Sequence, residues 1–185
     1  YRPATEPALG VGTAAPRLTW HVPAAPSTWV QEAAEFEVTR TPWGGEAVTS
    51  QHTVAGSDQT FVGWPAAPLV SRERASVRVR VSGGGETSDW SAPAVVEAGL
   101  LEASDWGAEF VSPVGIAGID ESSPALVSSF QVDGPPTAAR LHITAHGWYE
   151  VHLNGVRVSD DYFGPGWTVY PKRLRYYTYD VTGLV

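Results

Sequence analysis

Residues 35–41, Glu35-Phe36-Glu37-Val38-Thr39-Arg40-Thr41, alternate polar and apolar side chains. That is the period of a strand with one buried face. Residues 74–81 repeat the pattern without a break: Ala75, Val77, Val79 and Val81 share one side, and Ser76, Arg78 and Arg80 share the other. Pro42-Trp43-Gly44-Gly45 and Gly83-Gly84-Gly85 predict turns, and weaker strand patterns lie at 17–22, 47–54, 59–62 and 94–98. About seven short strands within roughly 85 residues predict a β-sandwich of the immunoglobulin or fibronectin type III kind. Residues 1–16, rich in Pro, Ala and Gly, read as an extended lead-in.

Gly99-Leu100-Leu101 marks a boundary, giving domains over 1–98 and 99–185. A second β pattern begins at Trp106, with a small-residue loop at 115–124 and strand candidates at 127–132, 139–145, 148–153 and 173–181. Asn154-Gly155 lies between Val151-His152-Leu153 and Val156-Arg157-Val158. It predicts a hairpin, because a type I′ turn needs φ > 0 at both central residues. No segment holds a helical period, so the fold class is all-β. Residue 1 is Tyr and the second pattern supplies only about five strands, so a second sandwich cut short is expected.

Composition narrows the functions. Net charge is −8 with no basic run, which argues against nucleic acid or an anionic membrane surface as partner. Without Cys there is no disulfide, thiolate zinc site or Cys nucleophile. No apolar run approaches about 18 residues, the length of a membrane-spanning helix. The 19 Gly, 15 Pro and 8 Trp fit short strands joined by turns.

No catalytic constellation stands out, and no nucleophile elbow, phosphate-binding loop or dinucleotide fingerprint is present. His142 and His146 share a strand face but lie about 13 Å apart, a poor metal pair. Asp160-Asp161 follows the hairpin and precedes Tyr162-Phe163-Gly164-Pro165-Gly166-Trp167. Carboxylates and carbonyls on such a loop could hold Ca²⁺, a hard cation that takes oxygen ligands. Trp167 could then stack on a sugar face; the alternative is a solvated acidic turn with Trp167 in the core. Trp20, Trp64, Trp90 and Trp106 read as packing residues, with Trp90 as a plug of the first sandwich. Trp29 and Trp43 fall in loop-like stretches.

Several blocks, taken in order, carry a resemblance. They are Pro16-Arg17-Leu18-Thr19-Trp20, Ser88-Asp89-Trp90-Ser91, Asp105-Trp106-Gly107-Ala108, residues 139–150, Leu153-Asn154-Gly155, Gly164-Pro165-Gly166-Trp167-Thr168-Val169-Tyr170 and Tyr179-Asp180-Val181-Thr182. Together they resemble the N-terminal region of bacterial α-L-rhamnosidases of glycoside hydrolase family 78. The resemblance implies a fibronectin-like sandwich, a larger β-sandwich, further β domains and an (α/α)₆ barrel that releases terminal α-L-rhamnose with inversion. Inversion needs two carboxyls about 6.5–9.5 Å apart. The resemblance places them in the barrel, so it assigns no catalytic residue here and implies that this chain alone is inactive.

The resemblance also implies that the second sandwich of some members is a calcium-dependent rhamnose-binding module, with its acidic pair near Asp160 and Asp161. The expected partners are the rest of the parent enzyme, a rhamnoside and, through open strand edges, further copies of the chain. A carbohydrate-binding module and a purely structural or adhesive sandwich pair remain alternatives. Where the family carries aromatic residues in the 74–81 strand this chain has Ala75-Ser76-Val77, leaving space for Phe61 or Trp64 to fill.

Overall fold

A computed structural model describes residues 7–23, 25–115 and 123–185. The chain divides into two compact units, Tyr1–Asp105 and Trp106–Val185. Most of the small-residue loop expected at 115–124 lies outside the described residues, as do the first six residues of the lead-in.

The first unit is built on strands β1 (Ala8–Val11), β2 (Ala33–Thr41), β3 (Val48–Ala55), β4 (Arg74–Gly83), β5 (Glu86–Thr87) and β6 (Ala94–Ala98). They form one sheet in the order β1-β6-β4-β2-β3, with β5 also on β4. The lead-in is therefore partly a strand: β1 pairs in parallel with β6. The two patterned segments are the centre of the sheet. Ala34, Phe36 and Val38 of β2 lie opposite Val81, Val79 and Val77 of β4. These side chains, with Leu69, Ala75 and Ala98, make up the core, on which Leu18, Trp20, Val22, Trp29 and Trp64 pack. Trp20 meets Phe36 edge-on, with ring centroids 5.4 Å apart.

The strands expected at 17–22 and 59–62 reduce to a single bridge, Leu18 to Val62. Phe61 has left-handed backbone (φ 53°), which interrupts an extended run, and its side chain is 73% exposed. Of the two aromatic candidates, Trp64 packs against the core cluster that contains Ala75, and Phe61 turns outward. Two buried polar anchors hold this layer. Gln31 accepts the Trp20 indole N–H at 3.0 Å and donates to the Gly56 and Asp58 carbonyls. Glu73, almost wholly buried, takes Arg40 at 2.7 Å and the Val70 amide at 2.9 Å. A buried carboxylate needs such partners to offset its desolvation.

The opposite side of the same sheet is polar. Arg80 pairs with Glu35 at 2.7 Å and Arg78 with Glu37 at 2.8 Å, directly across the β2–β4 register. Arg78's hydrogen bond, against some burial, holds the Glu37 carboxyl below its ordinary range. Trp90 lies here, under the Arg78 and Arg80 guanidinium groups at 5.0 and 4.7 Å, and not in the core as its sequence position suggested. The chain around it explains the placement. The Ser88 and Ser91 amides donate to the Val81 and Val79 carbonyls, and their hydroxyls accept from the Val81 and Val79 amides. Those bonds hold Trp90 along β4 between β5 and β6, against its arginine face. At Gly83 a Cβ would overlap the Val30 carbonyl, so only glycine fits there.

The second unit is thinner. Its strands are β7 (Arg140–Ile143), β8 (His152–Leu153), β9 (Val156–Arg157) and β10 (Tyr177–Asp180). They form two separate two-stranded antiparallel sheets, β7 with β10 and β8 with β9. Asn154 (φ 51°) and Gly155 (φ 80°) make the expected hairpin turn. Residues 127–132 are not a strand: no neighbour pairs with them among the described residues, and Val127 and Phe130 stand 91% and 65% exposed.

Phe36→Ala should lower the stability of the first unit by about 3–5 kcal/mol, the cost of a buried phenylalanine cavity. Trp90→Ala should cost about 1–2 kcal/mol, since it removes two partly solvated cation–π contacts and no core volume. Denaturant titration by circular dichroism would read both; equal losses would place Trp90 in the core.

Candidate functional site

The acidic pair singled out by sequence, Asp160 and Asp161, lies in the second unit, on the turn that follows the β8–β9 hairpin. Arg157, at the end of β9, organises the near side. Its guanidinium donates to the Asp161 carbonyl at 3.2 Å, approaches Glu150 at 3.4 Å and lies 4.8 Å over the Tyr162 ring. Glu150 also faces His152 at 3.5 Å. The Asp161 amide donates to the Ser159 hydroxyl at 2.9 Å, closing a short polar turn. Asp160 and Asp161 are exposed.

Behind this turn lies a tyrosine cluster that sequence reading missed. Tyr149 and Tyr179 share a hydroxyl–hydroxyl hydrogen bond of 3.2 Å, and the Tyr177 ring meets that of Tyr179 edge-on at 6.1 Å. Gly164 fits against the Tyr149 and Tyr177 rings, and the Tyr149 amide donates to its carbonyl at 3.0 Å. Burial pushes the Tyr149 hydroxyl well above the usual phenol range, and its hydrogen bond with Tyr179 adds to the shift. Tyr179 is also raised, by burial first and by the negative charge of Asp161, while the bond to Tyr149 opposes the rise. The signal available in the sequence was the two-residue spacing of Tyr177 and Tyr179, although neighbours at that spacing look alike whether buried or solvated.

Four aromatic rings of this unit form a stack. Phe110, His146, Tyr170 and Trp167 follow one another with centroid separations of 4.9, 4.8 and 6.0 Å. The Tyr170 hydroxyl accepts the Gly147 amide at 2.8 Å, which fixes the middle ring. Trp167 ends the stack and is 78% exposed, so the structure places it outside the core. Trp148 and Phe163 make a second exposed pair, edge-on at 4.8 Å. His142 is elsewhere, bonded to the Thr178 hydroxyl at 2.9 Å across β7 and β10.

The donor set for a cation is small. Ca²⁺ takes about six to eight oxygen ligands. Among the described residues no group of three or more His, Cys, Asp or Glu side chains gathers that could hold a metal ion. Asp160 and Asp161 contribute two carboxylates, and the Asp161 carbonyl is already taken by Arg157. These residues by themselves do not complete a calcium site.

Two family profiles match the chain in succession. The Rha78A-like N-terminal immunoglobulin domain covers residues 4–102, and the α-L-rhamnosidase N-terminal domain covers residues 134–185. An α-L-rhamnosidase of Alteromonas sp. (strain LOR) is 32% identical over 199 residues, spanning 96% of this chain and 21% of that protein. One from Formosa agariphila is 31% identical over 189 residues, spanning 96% and 20%. The crystal structure of an α-L-rhamnosidase from Aspergillus terreus superposes with a TM-score of 0.80 at 38% identity, again over 96% of this chain and 21% of that one. The chain thus spans about a fifth of the length of these relatives.

Raising the pH should weaken the second unit. A hydroxyl whose folded-state pKa lies above its unfolded value of about 10 stabilises the fold below that pH and loses the contribution as pH climbs past it. Thermal unfolding of the chain from pH 8 to 11 should therefore fall more steeply than that of Tyr149→Phe. Parallel curves would sink the assignment.

Proposed function

This chain belongs to the α-L-rhamnosidases, as part of their N-terminal region, and on that footing we propose that it is the non-catalytic β-sandwich end of an enzyme that releases terminal α-L-rhamnose with inversion. The observation that carries the reading is the two N-terminal domain matches in succession on a chain spanning a fifth of each relative. It belongs to a larger enzyme with a catalytic part. The acid and base carboxylates that inversion requires, about 6.5–9.5 Å apart around a water, belong to that catalytic part in this reading. The two units then act as a framework beside it.

An aryl α-L-rhamnoside tests the assignment. The full-length protein should release the phenol, and this chain alone should match buffer. Release by the chain alone would overturn the non-catalytic role, and no release by the full-length protein would overturn the activity.

A second reading has its own support. Trp167 offers a broad exposed ring, held from behind by Tyr170, and such a face suits the apolar side of a sugar. In this reading Trp167 stacks on L-rhamnose and Asp160 and Asp161 hold Ca²⁺, with further oxygen ligands supplied from outside these residues. Calorimetry with L-rhamnose, with Ca²⁺ and then with a chelator, should show calcium-dependent heat that Trp167→Ala abolishes. No heat from a folded chain in either condition would reject it and leave the pair as purely structural.

A further inference from the structure

The two edges of the first unit's sheet are built differently. β1, at one edge, is four residues long and meets β6 through an irregular register. Shortness and irregularity guard an edge against pairing with another chain. β3, at the other edge, has neither guard: it is eight residues long, and all of them pair with β2 without a register shift. Its sequence, Val48-Thr49-Ser50-Gln51-His52-Thr53-Val54-Ala55, holds no Pro, Lys, Arg, Asp or Glu, the residues that would otherwise blunt it. Among the described residues β3 pairs only with β2, so its outer row of amides and carbonyls has no strand partner.

β3 also reads nearly the same in both directions. Around Gln51 the flanking residues are Ser50 and His52, then Thr49 and Thr53, then Val48 and Val54. We propose that β3 is a dimerisation edge, where two copies of this chain pair antiparallel through residues 48–54 about a two-fold axis at Gln51. A two-fold interface must be complementary to itself, and this strand is. Gln51 meets Gln51 of the other copy. Val48, 66% exposed, meets the other copy's Val54, on the side of the sheet that carries Ala34 and Phe36. Thr49 meets Thr53, a hydroxyl pair of the kind that Thr49 already makes with Thr39 at 2.9 Å. Ser50 and His52, bonded to each other at 2.8 Å, face the same pair reversed. No like charges are set opposite one another, which would oppose the pairing. The surface belongs to the first unit and is independent of the chemistry proposed for the parent enzyme.

The chain has no cysteine, so introduced thiols report the register. Gln51, Thr49, Thr53 and the control position Ser57 are all exposed. Directly opposed residues of an antiparallel pair have Cα atoms about 4.5–5.5 Å apart, within the reach of a disulfide. Under mild oxidation Gln51→Cys should therefore form a covalent dimer on the order of 10-fold faster than Ser57→Cys, because pairing raises the effective thiol concentration. Thr53→Cys alone should not, since it lies about 13 Å from its own copy in this register. Mixed with Thr49→Cys, it should cross-link as fast as Gln51→Cys. The same variants would be placed in this chain and in the full-length protein. Gln51→Cys no faster than the control would overturn the pairing, as would rapid cross-linking of Thr53→Cys alone. Cross-linking confined to this chain would also overturn it, by showing that the parent's remaining polypeptide covers the edge. Light scattering of the unsubstituted full-length protein should show its mass rising with concentration, half-associated at about 10–100 μM. A monomer at about 200 μM would sink the proposal.

Discussion

The register between β2 and β4 is the constraint on which the first unit depends. It sets Phe36 against Val79, Val38 against Val77 and Ala34 against Val81 on one side of the sheet. The same register sets Glu35 against Arg80 and Glu37 against Arg78 on the other. A slip of one residue would turn every apolar side chain outward and bury the charges. The register is therefore fixed from both faces, by core burial on one and by ion pairs on the other. Trp20 and Trp64 can cover the core because it is held in place, and Trp90 can lie on the arginines for the same reason.

The second unit lacks a comparable constraint. Its order rests on polar and aromatic contacts: the Tyr149–Tyr179 hydroxyl pair, the Arg157 hub and the Phe110–His146–Tyr170–Trp167 stack. Such contacts define local geometry and contribute little net stability when partly solvated. The contrast fits a role within a larger polypeptide. The second unit has small two-stranded sheets and exposed Val127, Phe130 and Trp167, whereas the first unit has a buried cluster centred on β2 and β4.

The candidate site follows from the same division of labour. Arg157 fastens the Asp160-Asp161 turn through the Asp161 carbonyl, and both acidic residues of that turn are exposed. Trp167 is propped by Tyr170, whose hydroxyl is held by the Gly147 amide. A ring fixed in this way loses little freedom on meeting a ligand, which is the physical requirement for a stacking surface.

The sequence by itself determined the all-β class, the β2 and β4 faces and the Asn154-Gly155 turn. Each rests on a local rule: side chains alternate along a strand, and a type I′ turn selects residues that tolerate positive φ. Its ordered motifs also pointed to the rhamnosidase family. Only the tertiary structure decided what depended on distant partners. Trp90 went to the arginine face because Ser88 and Ser91 bond β4 there. Phe61 turned outward through a left-handed backbone, residues 127–132 found no neighbouring strand, and Tyr149 met Tyr179 across thirty positions. Periodicity reports which way a side chain can face, but whether a partner waits on that side is settled by how distant segments pack.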